Sequence, residues 1–184
     1  AAAAMVNGGI LYPPTFVKRS STADPGRRVI QAKTSMLMRQ LMRANAIVGT
    51  GKKADVPGYE VGGKTGTAEK AGKGGYAKKA LFSSFVGVFP MSDPKFLVLV
   101  SLDEPKGLPE TGGYATGGMV SAPSVKVIIS NMVALYGILP GDWTGNPAAL
   151  QISSAPAPTA ATPVTQFVST ATRNRAEQHK ALPA

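Results

Sequence analysis

The sequence predicts an α+β fold in which a mainly antiparallel sheet is flanked by helices. Three observations lead there. Residues 83–89 and 95–102 are apolar runs of strand length, and the short Met91-Ser-Asp-Pro94 link makes them antiparallel neighbours. Residues 35–48 and 120–139 space their apolar side chains as helices do. Between the first helix and these strands, Gly62-Gly-Lys-Thr-Gly-Thr-Ala68 reads as one more extended segment.

Taken in order, Ala1-Ala-Ala-Ala-Met-Val reads as a helix end stopped by Asn7-Gly8-Gly9. A helix starting at the first residue, with neither cap nor initiator methionine, implies a cut chain. Residues 10–17 are a prolyl extended segment, and 29–33 a short extended piece or turn. The helix over 35–48 sets Leu37, Leu41 and Val48 on one apolar face and closes at Gly49; Met36, Met38 and Met42 are core filler. A basic, glycine-rich connection spans 71–79. The strand at 83–89 ends at Pro90, and the nearly unbroken apolar run at 95–102 fits a strand buried on both faces. Residues 107–118 form a flexible loop around Tyr114. In the helix over 120–139, Val125, Ile128, Ile129, Met132 and Leu135 recur at helical spacing, and Pro123 is tolerated in the first turn. That helix covers one face of the sheet; the other is left to helices outside this chain. The Pro/Ala/Thr run from Ser153 and the charged stretch after it bury too little apolar surface to fold. Residues 1–143 are therefore read as the structured part and 144–184 as a disordered tail.

With 184 residues the chain can bury one good core. It has no cysteine, which excludes a disulfide framework, a thiolate nucleophile and a thiolate metal site, and suits an extracytoplasmic bacterial protein. The only histidine, His179, excludes a multi-histidine metal site and argues against a histidine-based triad. The net charge of +10 comes from dispersed lysines and arginines without aromatic interleaving or a nucleic-acid motif. Solvated loops account for it, with attraction to anionic wall or substrate carboxylates as the functional alternative. Nucleic acid is not among the expected partners. No apolar run of membrane-spanning length and no signal peptide is read.

The run Lys64-Thr65-Gly66-Thr67 carries the chemistry. On a strand, Lys64 and Gly66 share one face and Thr65 and Thr67 the other. A cation, two hydroxyls and a residue without a side chain then suit an anionic substrate lying along the backbone. Two other readings compete: a bland glycine-rich turn, and a phosphate loop. Gly58-Tyr-Glu-Val-Gly-Gly63-Lys64-Thr65 satisfies the phosphate-loop pattern, but it lacks the strand before it and the helix that should open at the Lys-Thr.

Lys-Thr-Gly is one motif of the penicillin-recognising serine enzymes, with Ser-x-x-Lys and Ser-x-Asn. Its context, Val56-Pro-Gly-Tyr-Glu-Val-Gly-Gly-Lys-Thr-Gly-Thr-Ala68, resembles class B penicillin-binding proteins, the cell-wall transpeptidases. Asn7-Gly8-Gly9, Ser84-Phe-Val-Gly87, Asp93-Pro94, Asp103-Glu-Pro-Lys106 and Ala122-Pro123 resemble that family too, in its order. The likeness extends to about Trp143 and is strongest to the division-type (septal) branch. It implies the C-terminal part of a transpeptidase domain of the penicillin-binding and β-lactamase-like fold, working without a cofactor or metal. It implies that Lys64 supplies positive potential, that Thr65 and Thr67 hydrogen-bond the carboxylate of a D-Ala-D-Ala stem peptide or a β-lactam, and that Gly66 allows close approach. The Thr67 N–H would be one oxyanion donor; Lys64 and Thr67 are thus the expected catalytic contributors. The implied partners are stem peptides, β-lactams, the N-terminal part of the domain and membrane proteins of the division machinery. The implied location is the periplasmic face of the inner membrane, anchored by an N-terminal segment absent from this chain. Around Tyr114 the tyrosine and glycine spacing departs from the family, and Val125 replaces a common phenylalanine.

The nucleophile is missing from this reading. Ser92-Asp-Pro-Lys95 is the one literal Ser-x-x-Lys, but it follows Lys-Thr-Gly, sits in a turn and contains a proline; Ser-x-Asn does not occur. Whether the chain itself is an enzyme stays open. The alternative is a non-catalytic module that binds cell wall or anionic peptides in a division complex.

Overall fold

The computed structural model describes residues 1–17, 25–72 and 75–141; the tail assigned to 144–184 lies outside the described residues. The chain opens with α1 (Ala2–Val6), whose end is turned by Asn7. The Asn7 side chain accepts the N–H groups of Gly9 (3.2 Å) and Ile10 (3.0 Å), so the helix stops as Asn-Gly-Gly predicts. Two short strands, β1 (Ile10–Leu11) and β2 (Arg27–Arg28), pair antiparallel.

Helix α2 (Ala32–Val48) starts three residues before the expected 35. Its buried face also differs. Leu37, Leu41 and Val48 are exposed, Val48 to 71%, and the buried stripe is Ser35, Met42, Arg43 and Ala46. Polar tethers decide this rotation. Ser35 Oγ donates to Met5 O (2.9 Å) and accepts from Gly8 N–H (3.0 Å). Arg39 donates to the carbonyls of Met91 and Ser92. Arg43 donates to Val61 O and pairs with Asp55, each at 2.6 Å. Hydrogen bonds to buried carbonyls are costly to leave unmade, so they outweigh a few half-buried leucines. Of the three methionines only Met42 is core, while Met36 is exposed.

A single helical turn over Lys52–Ala54 leads to the main sheet, β3 (Gly62–Gly72), β4 (Gly75–Phe89) and β5 (Phe96–Asp103). Both pairings are antiparallel and the order is β3-β4-β5, as the short link after β4 predicts. The connection expected over 71–79 is instead mostly strand: pairing continues past an irregularity at Glu69–Ala71 to Gly72 opposite Gly75. Glycine and lysine content suggested a loop, but an extended hairpin arm satisfies those backbone groups through the ladder. Lys70 Nζ clips this arm to Glu104 (2.8 Å) and Asp103 (3.0 Å), and these hydrogen bonds hold its ammonium above the usual lysine range.

One face of the sheet holds the larger core. Phe85 and Phe89 from β4 pack with Val61 and with Ala122, Val125, Ile129 and Val133 of α3 (Ala122–Leu135); Phe96, Val98 and Val100 of β5 border them. The expected helix over 120–139 is therefore shorter at both ends, preceded by a wide helical turn at Gly117–Ser121. Ile128 and Leu135 are exposed rather than buried. The 19-residue run Gly117–Leu135 is long and apolar enough to cross a membrane, contrary to the sequence reading, but its inner stripe is the sheet's core. The opposite face is not bare as expected: Val6 of α1 and Met42 of α2 pack on Val88 and Met91. Beyond that patch Leu97 and Leu99 stay exposed, so β5 is buried on one face only. Its alternating burial is that of an antiparallel strand with one solvated side.

Candidate substrate-binding site

The Lys-Thr-Gly-Thr run lies on β3, which has no strand partner on its outer edge among the described residues. Alternate N–H groups of an edge strand point outward, available to a ligand. In register, Lys64 and Gly66 stand opposite Val86 and Ser84, while Thr65 and Thr67 stand opposite Phe85 and Ser83. The predicted division of the four residues between two faces is therefore the observed one. Gly63 admits no side chain, because a Cβ there would meet the Phe85 ring at 2.5 Å and the Val86 carbonyl. At Gly66 the space is taken by the Ser84 hydroxyl, 2.5 Å from where a Cβ would be, a neighbour that can rotate away.

The two threonine hydroxyls are held differently. Asn45 Nδ2 donates to Gly63 O (2.9 Å), so its Oδ1 faces Thr50 and accepts from Thr50 N–H (3.1 Å) and Thr50 Oγ1 (3.2 Å). Thr50 has one hydroxyl proton and two acceptors in reach, Asn45 Oδ1 and Thr65 Oγ1. The 3.0 Å contact between Thr50 Oγ1 and Thr65 Oγ1 ties Thr65 to the turn after α2. Thr67 Oγ1, by contrast, accepts the Gly117 N–H at 3.0 Å, and its own proton has no acceptor among the described residues. Gly117 can approach only because it lacks a Cβ, which would strike the carbonyls of Ser84 and Gly66. Lys64 is exposed, and its ammonium bends to Thr65 O (2.8 Å) and Thr65 Oγ1 (3.3 Å).

Thr65 and Thr67 open onto a cleft of about 460 Å³, walled also by Thr50, Lys52, Lys53 and Met119. Lys64 and Gly66 do not line it. Asn45, Thr50 and Gly117 were not anticipated from the sequence. The available signal for Asn45 was its place four residues before the Gly49-Thr-Gly51 turn, which wraps its side chain. Asn45→Ala should cost about 1–3 kcal/mol, since it strands Gly63 O and Thr50 N–H. Chemical denaturation measures this, and a loss below ~0.5 kcal/mol would mean water replaces the side chain.

The literal Ser-x-x-Lys does not assemble. Ser92 sits in the turn between β4 and β5, its N–H bound to Glu60 Oε2 (2.9 Å), while Lys95 Nζ is paired with Asp93 (2.6 Å). The phosphate-loop reading fails as well, because Lys64–Thr65 is strand and not the start of a helix.

The family model for the penicillin binding protein transpeptidase domain matches residues 1–130, and the chain belongs to that family. It is 41% identical over 145 residues to a probable peptidoglycan D,D-transpeptidase FtsI of Caulobacter vibrioides, covering 73% of this chain and 25% of that protein. It is 36% identical over 151 residues to stage V sporulation protein D of Bacillus subtilis, covering 76% of this chain and 23% of that protein. Among solved structures, the transpeptidase domain of Burkholderia pseudomallei penicillin-binding protein 3 aligns at TM-score 0.67 and 36% identity, over 77% of this chain and 42% of that one. Penicillin-binding protein 3 of Mycobacterium tuberculosis, complexed with ampicillin, aligns at 0.62 and 27%, over 75% and 34%. The chain thus spans about a quarter of the length of these curated relatives.

Proposed function

We propose that this chain is the carboxylate-binding part of a peptidoglycan D,D-transpeptidase that cross-links cell wall during division, at the outer face of the inner membrane. A serine on a segment outside it attacks the penultimate D-Ala carbonyl of a stem peptide, forming an ester and releasing the terminal D-Ala. The amine of a second stem peptide then attacks that ester, restoring the serine. In this reading the terminal carboxylate accepts the Thr67 hydroxyl proton, and Lys64 supplies positive potential beside it. The Thr67 N–H donates to the carbonyl oxygen as it becomes an oxyanion. Thr65 lends its oxygen to the Lys64 ammonium, and its hydroxyl is shared with Thr50 Oγ1. Gly66 leaves room for the substrate backbone. β-Lactams enter the same place as mimics of the D-Ala-D-Ala end. The 144–184 segment is proposed as a tail without a part in this chemistry.

The observation that carries the reading is the Thr67 hydroxyl, oriented by Gly117 N–H at the rim of an open cleft on an edge strand. Labelled penicillin tests it. The chain alone should form no covalent adduct, while the domain completed with its upstream segment should be acylated on a serine of that segment. A penicilloyl group on Ser92, or no adduct in the completed domain, would overturn it, the latter favouring a non-catalytic binding module.

A further inference from the structure

We propose that the cleft beside Thr65 and Thr67 is a subsite for a second anion of the substrate, held by Lys52 and Lys53 next to the carboxylate taken by the strand. It rests on the carboxylate-binding reading above and names which substrates that site prefers: dianionic ones.

The local sequence forces both lysines into this position. After α2 closes at Gly49, the turn over Lys52–Ala54 buries Ala54 completely in the core. With that residue pinned inward, Lys52 and Lys53 are exposed and line the same cleft as Thr65 and Thr67. Among the described residues no carboxylate lines the cleft. The acid that follows in sequence, Asp55, is occupied by Arg43 at 2.6 Å. Among the described residues neither Lys52 nor Lys53 has a carboxylate within ion-pair distance. Among the described residues the polar contact of Lys53 is the Met119 thioether at 3.2 Å, a weak acceptor that does not neutralise the ammonium. Lys64 adds a third positive charge from the other side of the same strand.

Unpaired cations facing two hydroxyls across a concave surface raise the local concentration of anions and strengthen their binding. The volume, about 460 Å³, lies in the range of small-molecule pockets and exceeds what one carboxylate fills. Lysine ammoniums are point charges that select for charge and position more than for planar geometry. The recognised group is therefore a second anionic group close to the first carboxylate; the D-Ala-D-Ala end carries none there, so the preference is one among β-lactams. A charge at the far, acylated end of the substrate lies outside the subsite.

Acylation of the completed domain tests this with cephalosporins. One pair differs only in an anionic or a neutral substituent on the ring carbon next to the carboxylate-bearing carbon. A third compound carries the anion on the remote acylamino side chain. The first anionic compound should acylate about three to ten times faster than its neutral twin at low salt, the scale of one or two exposed ion pairs, and the preference should shrink as salt is added. In the Lys52→Gln/Lys53→Gln variant the ratio should fall to about one, and Lys52→Arg/Lys53→Arg should keep it. A ratio of one in the unmodified domain, a ratio unmoved by the glutamine variant, or an equal preference for the remote anion would overturn the subsite while leaving the transpeptidase reading intact. Failure of all three compounds to acylate the serine would overturn both.

Discussion

Lys64→Ala in the completed domain should slow penicillin acylation by ~10²–10³, the range seen when one preorganised electrostatic contributor is removed from an acyl-transfer site, with little change in folding. The fold should not notice because Lys64 is exposed and, among the described residues, its ammonium contacts only Thr65, its neighbour in sequence. Surface substitutions of that kind stay within ~0.5 kcal/mol. Thr67→Val should lose less, since the valine retains the backbone N–H and removes only the hydroxyl donor. Second-order acylation rates beside melting curves separate the cases. Lys64→Ala acylating at the parent rate would remove the lysine from the site, and a large melting shift would reassign it to structure.

The second large effect is structural. Phe85→Ala should cost about 3–5 kcal/mol, the range for deleting a fully buried aromatic ring. Phe85 is fully buried at the centre of β4, and its ring underlies Gly63 on one strand and Gly51 in the turn after α2. Removing it therefore opens a cavity beneath the Lys-Thr-Gly-Thr strand as well as in the core. Leu99→Ala is the matched control, because Leu99 is 62% exposed on the opposite face and should shift stability by under ~1 kcal/mol. Urea unfolding of both variants decides it, and a Phe85→Ala loss no larger than the control's would mean that the core is not organised around β4.

Strand pairing and the division of faces along β3 were legible because they depend on local pattern. The Met91–Pro94 link is too short for anything but an antiparallel return, and the period of two along β3 alone separates Lys64 and Gly66 from Thr65 and Thr67. The Asn7-Gly-Gly stop and Pro123 at the start of α3 are also local events. Helix rotation was not legible. Leu37 and Leu41 looked like the inner face of α2, but the carbonyls that Arg39 and Arg43 reach belong to residues far along the chain. The same holds for the hairpin arm at Gly72–Gly75, where pairing overrode composition.

The sequence by itself determined the element order, the antiparallel sheet, the division of Lys64 and Gly66 from Thr65 and Thr67 between two faces and the lack of a usable Ser-x-x-Lys, because each follows from spacing along one segment. Only the tertiary structure decided how the two threonine hydroxyls are held. That depends on Asn45, Thr50 and Gly117: Asn45 lies 5 residues from Thr50, Thr50 lies 15 from Thr65, and Gly117 lies 50 from Thr67. It also decided that Lys52 and Lys53 face the same cleft as Thr65 and Thr67. Hydrogen-bond partners and cleft walls are set by packing between distant segments, and no periodicity within a segment encodes them.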